Sequence, residues 1–218
     1  MALEEMDAFF NRRADIYDAH MLQDLELDAF YREITDCVQP TGKDFSLLDI
    51  GCGTGIELEG LFAKYPGMRV TGVDLSAGML QKLKEKFPKK EIELICGSYF
   101  DLPFASDYDV VLSTYSLHHW NASQKLTLYQ KVFKALKNSG VFINGDYTCK
   151  TPERERYFQD ELARLRKQEH LQDNVLYHYD IPLTANTEQT LLHAAGFQKV
   201  CLVREWENTS ILTARKCL

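Results

Sequence analysis

The stretch that decides the fold is SLLDIGCGTGIELEGLF, residues 46–62. A short apolar run ends at Asp49, three glycines follow within a few positions, and apolar residues then recur at helical spacing. This order predicts a strand, a tight turn and a helix. In an open parallel sheet, such a turn lies where nucleotide-like ligands bind. The stretch therefore predicts a ligand site at its glycines, and the flanking sequence indicates which ligand.

Strand and helix patterns alternate after this stretch. Further strands are expected at residues 69–74, 92–97, from 108 onward and at 141–147. One helix is expected to begin after Ser76 and to stop at Pro88, and another to begin after Asn121 and to end at NSG, residues 138–140. The alternation predicts right-handed crossovers and a parallel sheet with helices on both faces.

The alternation stops after Asp146, so the chain is expected to form one domain with four parts. These are a helical lid at residues 1–45, a ligand-binding core at 46–147, a cap insertion at 148–185, and a helix with a closing hairpin at 186–218. Residues 7–23 and 148–185 are polar with thin apolar stripes, which predicts that these two segments open and close over the ligand.

Composition limits the class of function. The chain has 218 residues, of which 45% are hydrophobic and 26% charged, as in soluble globular proteins. Its net charge of −7 disfavours a nucleic acid as partner. The sequence has no apolar run of membrane-spanning length and no signal-peptide pattern, so a cytoplasmic monomer or homodimer is expected.

The cysteines give no sign of a metal site. There are six: Cys37, Cys52, Cys96, Cys149, Cys201 and Cys217. None forms a Cys-x-x-Cys pair, and no histidine stands at zinc spacing from them. They are expected to be reduced, and no metal site is predicted.

The residues around the glycines indicate a cationic ligand. A phosphate-binding turn has the pattern Gly-x-Gly-x-x-Gly, whereas here the third glycine comes one position early. Asp49 precedes the turn, and Glu57 and Glu59 follow it; these carboxylates suit a cation better than a pyrophosphate. Asp74 ends the second expected strand, where an acid accepts hydrogen bonds from ribose hydroxyls. S-adenosylmethionine is a ribose ligand with positive charge and no phosphate.

At these residues the sequence resembles the class I S-adenosylmethionine-dependent methyltransferases. LLDIGCGTG resembles their first motif and VTGVDLSAGML the segment after it. YDVVLSTYSLHHW resembles the fourth-strand motif, and TEQTLLHAAGF with SILTARK resembles the last helix and final strand. The resemblance implies an α/β, Rossmann-like sheet of order 3-2-1-4-5-7-6 with strand 7 antiparallel. It also implies S-adenosylmethionine as cofactor and S-adenosylhomocysteine as product.

Site residues follow from the same resemblance. The glycines would border the methionine and ribose, Asp74 would hold the ribose, and Tyr17 would close over the methionine carboxylate with Arg12 or Arg13. The full set of implied cofactor-binding residues is Tyr17, Asp49, Gly51, Cys52, Gly53, Gly55, Asp74, Leu75, Met79, Ser98, Tyr99 and Ser113.

The sequence gives fewer indications of the methyl acceptor and of the residues that bind it. His118 and His119 can serve as a base, or one of them can simply pack under the following helix. Asp146 is the next catalytic candidate. An aromatic wall around a small substrate is expected from Tyr115, Trp120, Tyr177, His178 and Tyr179. The chain lacks the Asn/Asp-Pro-Pro-Tyr/Phe motif of enzymes that methylate planar amino groups, so a small-molecule acceptor is expected.

Two alternatives keep the ligand and change the function. The C-terminal tail at residues 183–216, the cap helix and the N-terminal segment also resemble those of carboxy-S-adenosylmethionine synthases, which modify the cofactor's methyl group and then serve tRNA wobble modification. That family has an arginine near the place of Leu191, and leucine cannot hold a carboxylate. The other alternative is a non-catalytic S-adenosylmethionine-binding protein.

Overall fold

The computed structural model describes residues 3–40, 42, 44–105, 107–172 and 175–217. Its centre is one seven-stranded sheet with the order β3-β2-β1-β4-β5-β7-β6. Strand β7 is antiparallel to β5 and β6, and the other pairs are parallel. The predicted fold is therefore confirmed. The strands are β1 (Ser46–Ile50), β2 (Arg69–Asp74), β3 (Ile92–Cys96), β4 (Tyr108–Thr114), β5 (Leu136–Tyr147), β6 (Lys199–Glu205) and β7 (Thr209–Arg215).

Helices cover both faces of the sheet. They are α1 (Met6–Arg13), α2 (Tyr17–Ala19), which continues into a π-helical turn (His20–Asp24), α3 (Asp28–Cys37), α4 (Ile56–Lys64), α5 (Ala77–Lys86), α6 (Ala122–Ala135), α7 (Pro152–Gln168) and α8 (Ala185–Ala194). Apolar side chains of α3, α4 and α5 pack on one face, and those of α6 and α8 on the other. Successive residues of β1 alternate between the faces: Leu47 joins the first cluster and Leu48 the second.

Local capping explains two helix starts. The Ser76 hydroxyl accepts the N–H of Met79 at 3.1 Å and fixes the start of α5. Asn121 and Gln124 form a reciprocal capping box at the start of α6. Because both caps face the carboxyl end of the sheet, the helices begin beside the expected ligand site.

Three predicted boundaries are wrong. Helix α6 ends at Ala135 rather than at NSG, because Leu136 is extended and pairs with Tyr108, so that β5 begins at Leu136 instead of at 141. Ser139 then takes a left-handed conformation and donates its N–H to the carbonyl of Lys216. Helix α8 begins at Ala185, two residues before the expected Thr187, because the hydroxyl of Thr184 caps it.

The N-terminal segment and the segment after α7 join above the carboxyl end of the sheet. The N–H of Met6 donates to the carbonyl of Leu176 at 2.8 Å, and the N–H of His178 donates to that of Glu4 at 2.9 Å. We call residues 3–24 and 175–181 together the cover. The four-part division and the lid role stay predictions; residues 1, 2, 41, 43, 106, 173, 174 and 218 of that division lie outside the described residues. Within the described part, no helix combines the length and apolarity needed to span a membrane.

Candidate active site

The three glycines of the turn differ in what surrounds them. All have left-handed backbone, with φ of 73° at Gly51, 48° at Gly53 and 71° at Gly55. A Cβ atom at Gly51 would overlap the side chain of Ser116, and one at Gly55 would crowd Leu83. A Cβ at Gly53 would meet no atom within 4 Å. The outer glycines therefore serve packing, whereas Gly53 borders open space that a ligand can use.

Asp74 holds this turn in place. One carboxylate oxygen accepts the N–H of Gly53 at 2.9 Å, and the other accepts the N–H of Ser76 at 2.8 Å. Burial raises the pKa of Asp74, and these two hydrogen bonds oppose the rise. Each oxygen keeps a second lone pair for another donor. The side chain thus both braces the turn and faces the ligand space.

A narrow cavity of about 40 Å³, which we call the small cavity, lies over the turn. Its lining residues are Met6, Phe10, Tyr17, Gly51, Gly53, Asp74, Leu75, Met79, Tyr99, Tyr115, Ser116 and His119. Pockets for drug-sized ligands measure roughly 300–1,000 Å³. The walls must therefore move apart for a nucleoside to enter.

Part of the predicted cofactor set lines this cavity: Tyr17, Gly51, Gly53, Asp74, Leu75, Met79 and Tyr99. The other members, Asp49, Cys52, Gly55, Ser98 and Ser113, are not among its lining residues. Ser113 is fully buried and donates to the carbonyl of Ile50 at 2.9 Å, and the Ser98 hydroxyl accepts the N–H of Phe100 at 3.2 Å. Both hydroxyl groups are engaged in these hydrogen bonds, and their contact with a cofactor stays a prediction.

A pair of buried carboxyl groups lies beneath the turn. Asp49 is 0% exposed, and neither of its oxygens accepts a hydrogen bond from a described residue. Burial raises the pKa of Asp49 and of Glu57, and the nearby Glu57 carboxyl raises that of Asp49 further. Glu59, by contrast, is exposed and pairs with Lys86 at 3.4 Å. Burial therefore favours the protonated form of both carboxyl groups, and ionising them requires compensation from a nearby positive charge.

A second and larger cavity of about 540 Å³, the large cavity, adjoins the first. It is lined by Phe9, Phe10, Arg13, Ile16, Tyr17, Ala19, His20, Met21, Asp24, Leu25, Leu27, Tyr115, His118, His119, Tyr147, His178, Asp180, Asn208 and Thr209. Four residues line both cavities: Phe10, Tyr17, Tyr115 and His119. The two spaces thus meet at one aromatic boundary.

The predicted catalytic residues come together at the inner end of the large cavity. His118 Nδ1 lies 2.7 Å from Asp146 Oδ1, and both residues are buried. Burial lowers the pKa of His118, but Asp146 and Asp180 outweigh it and raise the pKa to about 9. Burial and the neighbouring His118 lower the pKa of His119. Asp180 was not predicted, yet it lies against both histidines.

The aromatic wall forms only in part. Tyr115 and His178 line the large cavity. Trp120 and Tyr177 line a separate cavity beside α7, and the Trp120 indole donates to the Tyr99 hydroxyl. Tyr115 has a left-handed φ of 46°, and its hydroxyl lies 2.9 Å from that of Thr209. Such a conformation in a bulky residue costs energy and recurs at functional sites.

The cover contributes residues that sequence patterns did not reveal. Met6 and Phe10 of α1 reach the small cavity, and Asn11 accepts hydrogen bonds from Ser76 Oγ at 2.7 Å and Gly78 N–H at 2.9 Å. Tyr17 lines both cavities, and its closing over the methionine carboxylate stays a prediction. Arg13 stacks over Phe9 with its guanidinium 4.1 Å from the ring centroid. An apolar residue in a helix gives no signal of which cavity it reaches, so only the fold could place Met6 and Phe10.

Comparison with known proteins agrees with this geometry. Residues 47–140 match the family model described as a methyltransferase domain. Malonyl-[acyl-carrier protein] O-methyltransferase of Priestia megaterium is 32% identical over 62% of this chain and 48% of its own length. Carboxy-S-adenosyl-L-methionine synthase of Trichodesmium erythraeum is 33% identical over 71% of this chain and 66% of its own length. The chain spans about half the length of the first two curated relatives it matches.

Solved structures share the fold. The structure titled DhpI-SAH complex superposes with a TM-score of 0.71 at 18% identity and covers 96% of this chain and 94% of its own. Human N-acetylserotonin methyltransferase in complex with SAM superposes with a TM-score of 0.65 at 17% identity, over 96% of this chain and 55% of its own. At these identities the likeness concerns the fold.

Proposed function

We propose that this chain, which belongs to the class I S-adenosylmethionine-dependent methyltransferases, transfers a methyl group from S-adenosylmethionine to a small acceptor held in the large cavity. The observation that carries the proposal is the boundary shared by the two cavities. A methyl donor in the small cavity and an acceptor in the large one would meet at Phe10, Tyr17, Tyr115 and His119.

The small cavity supplies what the cofactor needs. Gly53 leaves room for the ligand beside the main chain, and Asp74 offers free lone pairs to the ribose hydroxyls. Leu75 and Met79 provide apolar surface for the adenine. A ligand with positive charge would offset part of the cost of ionising Asp49 and Glu57, whose pKa values burial raises. These features support a sulfonium nucleoside over a pyrophosphate cofactor.

The reaction depends on aligning the methyl donor with the acceptor and on excluding water more than on acid-base catalysis. The acceptor's lone pair forms a bond to the methyl carbon while the carbon–sulfur bond breaks and sulfur keeps its electron pair, so positive charge on sulfur disappears. Holding the two reactants in line and excluding water are the effective contributions of a protein to such a step. The aromatic boundary and the cover supply both. His118 and His119 hold the acceptor's reacting group, and Asp146 orients His118 from behind.

The acceptor's class is part of the proposal. The large cavity is of the size that binds one small molecule and mixes aromatic with polar lining residues. Relatives named as acting on a malonyl group carried by a protein make a carrier-borne carboxylate the first acceptor to add to a small-molecule panel.

The test is production of S-adenosylhomocysteine from S-adenosylmethionine with a panel of hydroxyl, thiol, amine and carboxylate acceptors. We expect acceptor-dependent turnover by the parent chain and loss of turnover in Gly53→Val. Tight binding of S-adenosylhomocysteine without turnover on any acceptor would favour the non-catalytic binding protein.

A second candidate is the carboxy-S-adenosylmethionine synthase reaction. It is favoured by identity of 27–33% over two thirds to three quarters of the length of three such enzymes. Leu191, at the place of their arginine, packs against the apolar cluster under α8 and offers nothing to a carboxylate. Mass spectrometry of nucleosides that co-purify with the protein separates the candidates, because a carboxylated adduct supports the synthase and S-adenosylhomocysteine the methyltransferase.

A further inference from the structure

The inner end of the large cavity contains a group of atoms that ordinary hydrogen bonds do not explain. Asp180 Oδ1 lies 3.4 Å from His118 Nε2 and 3.3 Å from His119 Nδ1. Hydrogen bonds of this type usually measure about 2.7–3.2 Å. Asp180 Oδ1 and His119 Nε2 are both buried without a hydrogen-bond partner among the described residues. Buried polar atoms without partners are rare in folded proteins and call for an explanation.

We propose that His118, His119 and Asp180 bind a divalent transition-metal cation, and we call them the metal cluster. One ligand atom from each residue can be chosen so that all three lie within 4.8 Å of one another. Around a tetrahedral zinc ion with bonds of about 2.0–2.1 Å, neighbouring ligand atoms lie about 3.3–3.4 Å apart. The distances from Asp180 Oδ1 to His118 Nε2 and to His119 Nδ1 have this value, so one cation held by these three atoms would give Asp180 Oδ1 its missing partner. His119 Nδ1 would then exchange its contact with the Tyr179 carbonyl, 3.2 Å away, for the metal.

The choice of residues selects the kind of metal. Two imidazoles and one carboxylate suit zinc and its first-row neighbours, whereas magnesium and calcium prefer oxygen ligands throughout. The earlier expectation of no metal site considered only cysteines and the spacing of histidines to them. It could not detect this cluster, because Asp180 is brought to the histidines by the cover rather than by spacing in the sequence.

Asp146 completes the arrangement behind the metal cluster. Its Oδ1 atom lies 2.7 Å from His118 Nδ1, on the ring edge opposite Nε2. When Nδ1 donates a proton to a carboxylate, Nε2 keeps a lone pair directed at a metal, and such carboxylate–histidine–metal triads orient ligands in many sites. Asp146 is thus a positioning residue for His118 in this proposal.

The metal cluster would bind the acceptor of the proposed methyl transfer, so its role in the reaction rests on the proposed function. All three members of the metal cluster line the large cavity, so a fourth ligand position opens toward the acceptor. An acceptor hydroxyl bound there would release its proton to solvent, because a divalent cation lowers the pKa of bound oxygen. The resulting oxygen anion would attack the methyl carbon as the carbon–sulfur bond breaks. The metal would change neither its charge nor its oxidation state.

The test uses the full chain with its affinity tag removed, freed of metals by a chelator and dialysed. Calorimetric titration with zinc should give one equivalent per chain, and cobalt(II) should give visible absorption bands of a four- or five-coordinate site. Asp180→Ala should lose both signals. Asp146→Asn should weaken zinc binding about 10–100-fold, the range for residues that support metal ligands from behind. His20→Ala, which removes another histidine of the same cavity, should leave binding unchanged.

Binding of S-adenosylhomocysteine is measured on the same samples, so that the two proposals fail separately. Zinc binding that is absent in the parent, or unchanged in Asp180→Ala, overturns the metal site whatever the nucleoside does. Zinc binding with the expected variant pattern but without nucleoside binding supports the metal site and counts against the methyltransferase.

Discussion

The small cavity and the large cavity are built from the chain in different ways. The small cavity takes Gly51, Gly53 and Asp74 from the turn after β1 and from the end of β2, two strands that adjoin in the sheet. The large cavity gathers its walls from the cover with Leu25 and Leu27, the residues after β4, Tyr147 of β5, and Asn208 with Thr209 at the start of β7. The glycine turn and Asp74 on the cofactor side are thus encoded in short continuous stretches, whereas the acceptor side depends on segments that only the fold brings together. Substitutions in the two cavities should therefore separate binding of the cofactor from use of the acceptor.

The largest effect, a loss of cofactor binding that substitutions in the large cavity do not cause, is expected from Gly53→Val. Gly53 has a left-handed backbone and borders open space, so a branched side chain would fill the ligand space and strain the turn. Affinity for S-adenosylhomocysteine should fall below detection in calorimetry, while Asp180→Ala in the large cavity keeps parental affinity. Gly51→Ala is the matched control and should fail to fold, because its Cβ would overlap Ser116. A folded Gly53→Val chain with parental affinity would make the turn purely structural.

Asp74→Ala should have the next largest effect. It removes the proposed acceptor for the ribose hydroxyls and leaves the N–H groups of Gly53 and Ser76 without their partner. The combined loss is about 1–3 kcal/mol, which corresponds to an affinity reduced about 5- to 150-fold. Asp74→Asn keeps one oxygen and should lose less. Equal affinities of all three chains in calorimetry would remove the ribose role from Asp74.

A smaller effect is expected when the cover is loosened. Asn11→Ala removes the acceptor for Ser76 Oγ and Gly78 N–H, each hydrogen bond contributing about 0.5–1.5 kcal/mol. Amide hydrogen exchange should accelerate about two- to tenfold in residues 6–13 and also in 175–181, because backbone hydrogen bonds join the two segments. S-adenosylhomocysteine should slow exchange in both segments, and β1 and β4 should stay protected throughout. Independent behaviour of the two segments would show that the cover is not one unit.

The smallest effect concerns stability. Because the pKa of Asp49 is raised in the folded chain, the folded state binds more protons than the unfolded state above the ordinary carboxyl pKa. The contribution of Asp49 to the free energy of unfolding therefore falls as the pH rises. Asp49→Asn should therefore raise the melting temperature at pH 8 by about 2–4 °C, the shift for roughly 1 kcal/mol in a chain of this size, and by less at pH 4.

Asp109, at the other end of the sheet, serves as a control because its pKa shifts in the opposite direction to that of Asp49. Burial raises its pKa, but hydrogen bonds with Ser46 and Lys137 outweigh burial and lower it. Its contribution is present at neutral pH and is lost as pH falls through the lowered pKa. Asp109→Asn should destabilise the chain at pH 7, as measured by thermal unfolding. If the melting temperatures of Asp49→Asn and Asp109→Asn shifted in the same direction, the proposed cost of ionising the buried Asp49 carboxyl would be contradicted.

Much of the fold could be predicted because its signals are local. The strand-turn-helix at residues 46–62, the Ser76 cap and the Asn121 cap each depend on a few adjacent residues, and the structure has them. The end of α6 was missed because Leu136 fits both the apolar face of a helix and the pairing of β5 with Tyr108. Tertiary pairing decided between the two, and no pattern in a single sequence reports such pairing.

The candidate site divides in the same way. Gly53 and Asp74 could be named from the sequence because their spacing has a direct chemical meaning. Asp180 could not, because it lies in an irregular segment of the cover and gains its meaning only from contact with His118 and His119. Phe10 and Ser116 were missed for the same reason: neither residue type indicates a ligand until its position in the fold is known.

The central claim is that the two cavities form one reaction site, and a crystal structure with S-adenosylhomocysteine tests it most directly. The account predicts ribose hydroxyls on Asp74, homocysteine beside Gly53, and sulfur among Phe10, Tyr17, Tyr115 and His119, facing the large cavity. A ligand bound elsewhere, or with its sulfur turned away from the large cavity, would contradict the claim.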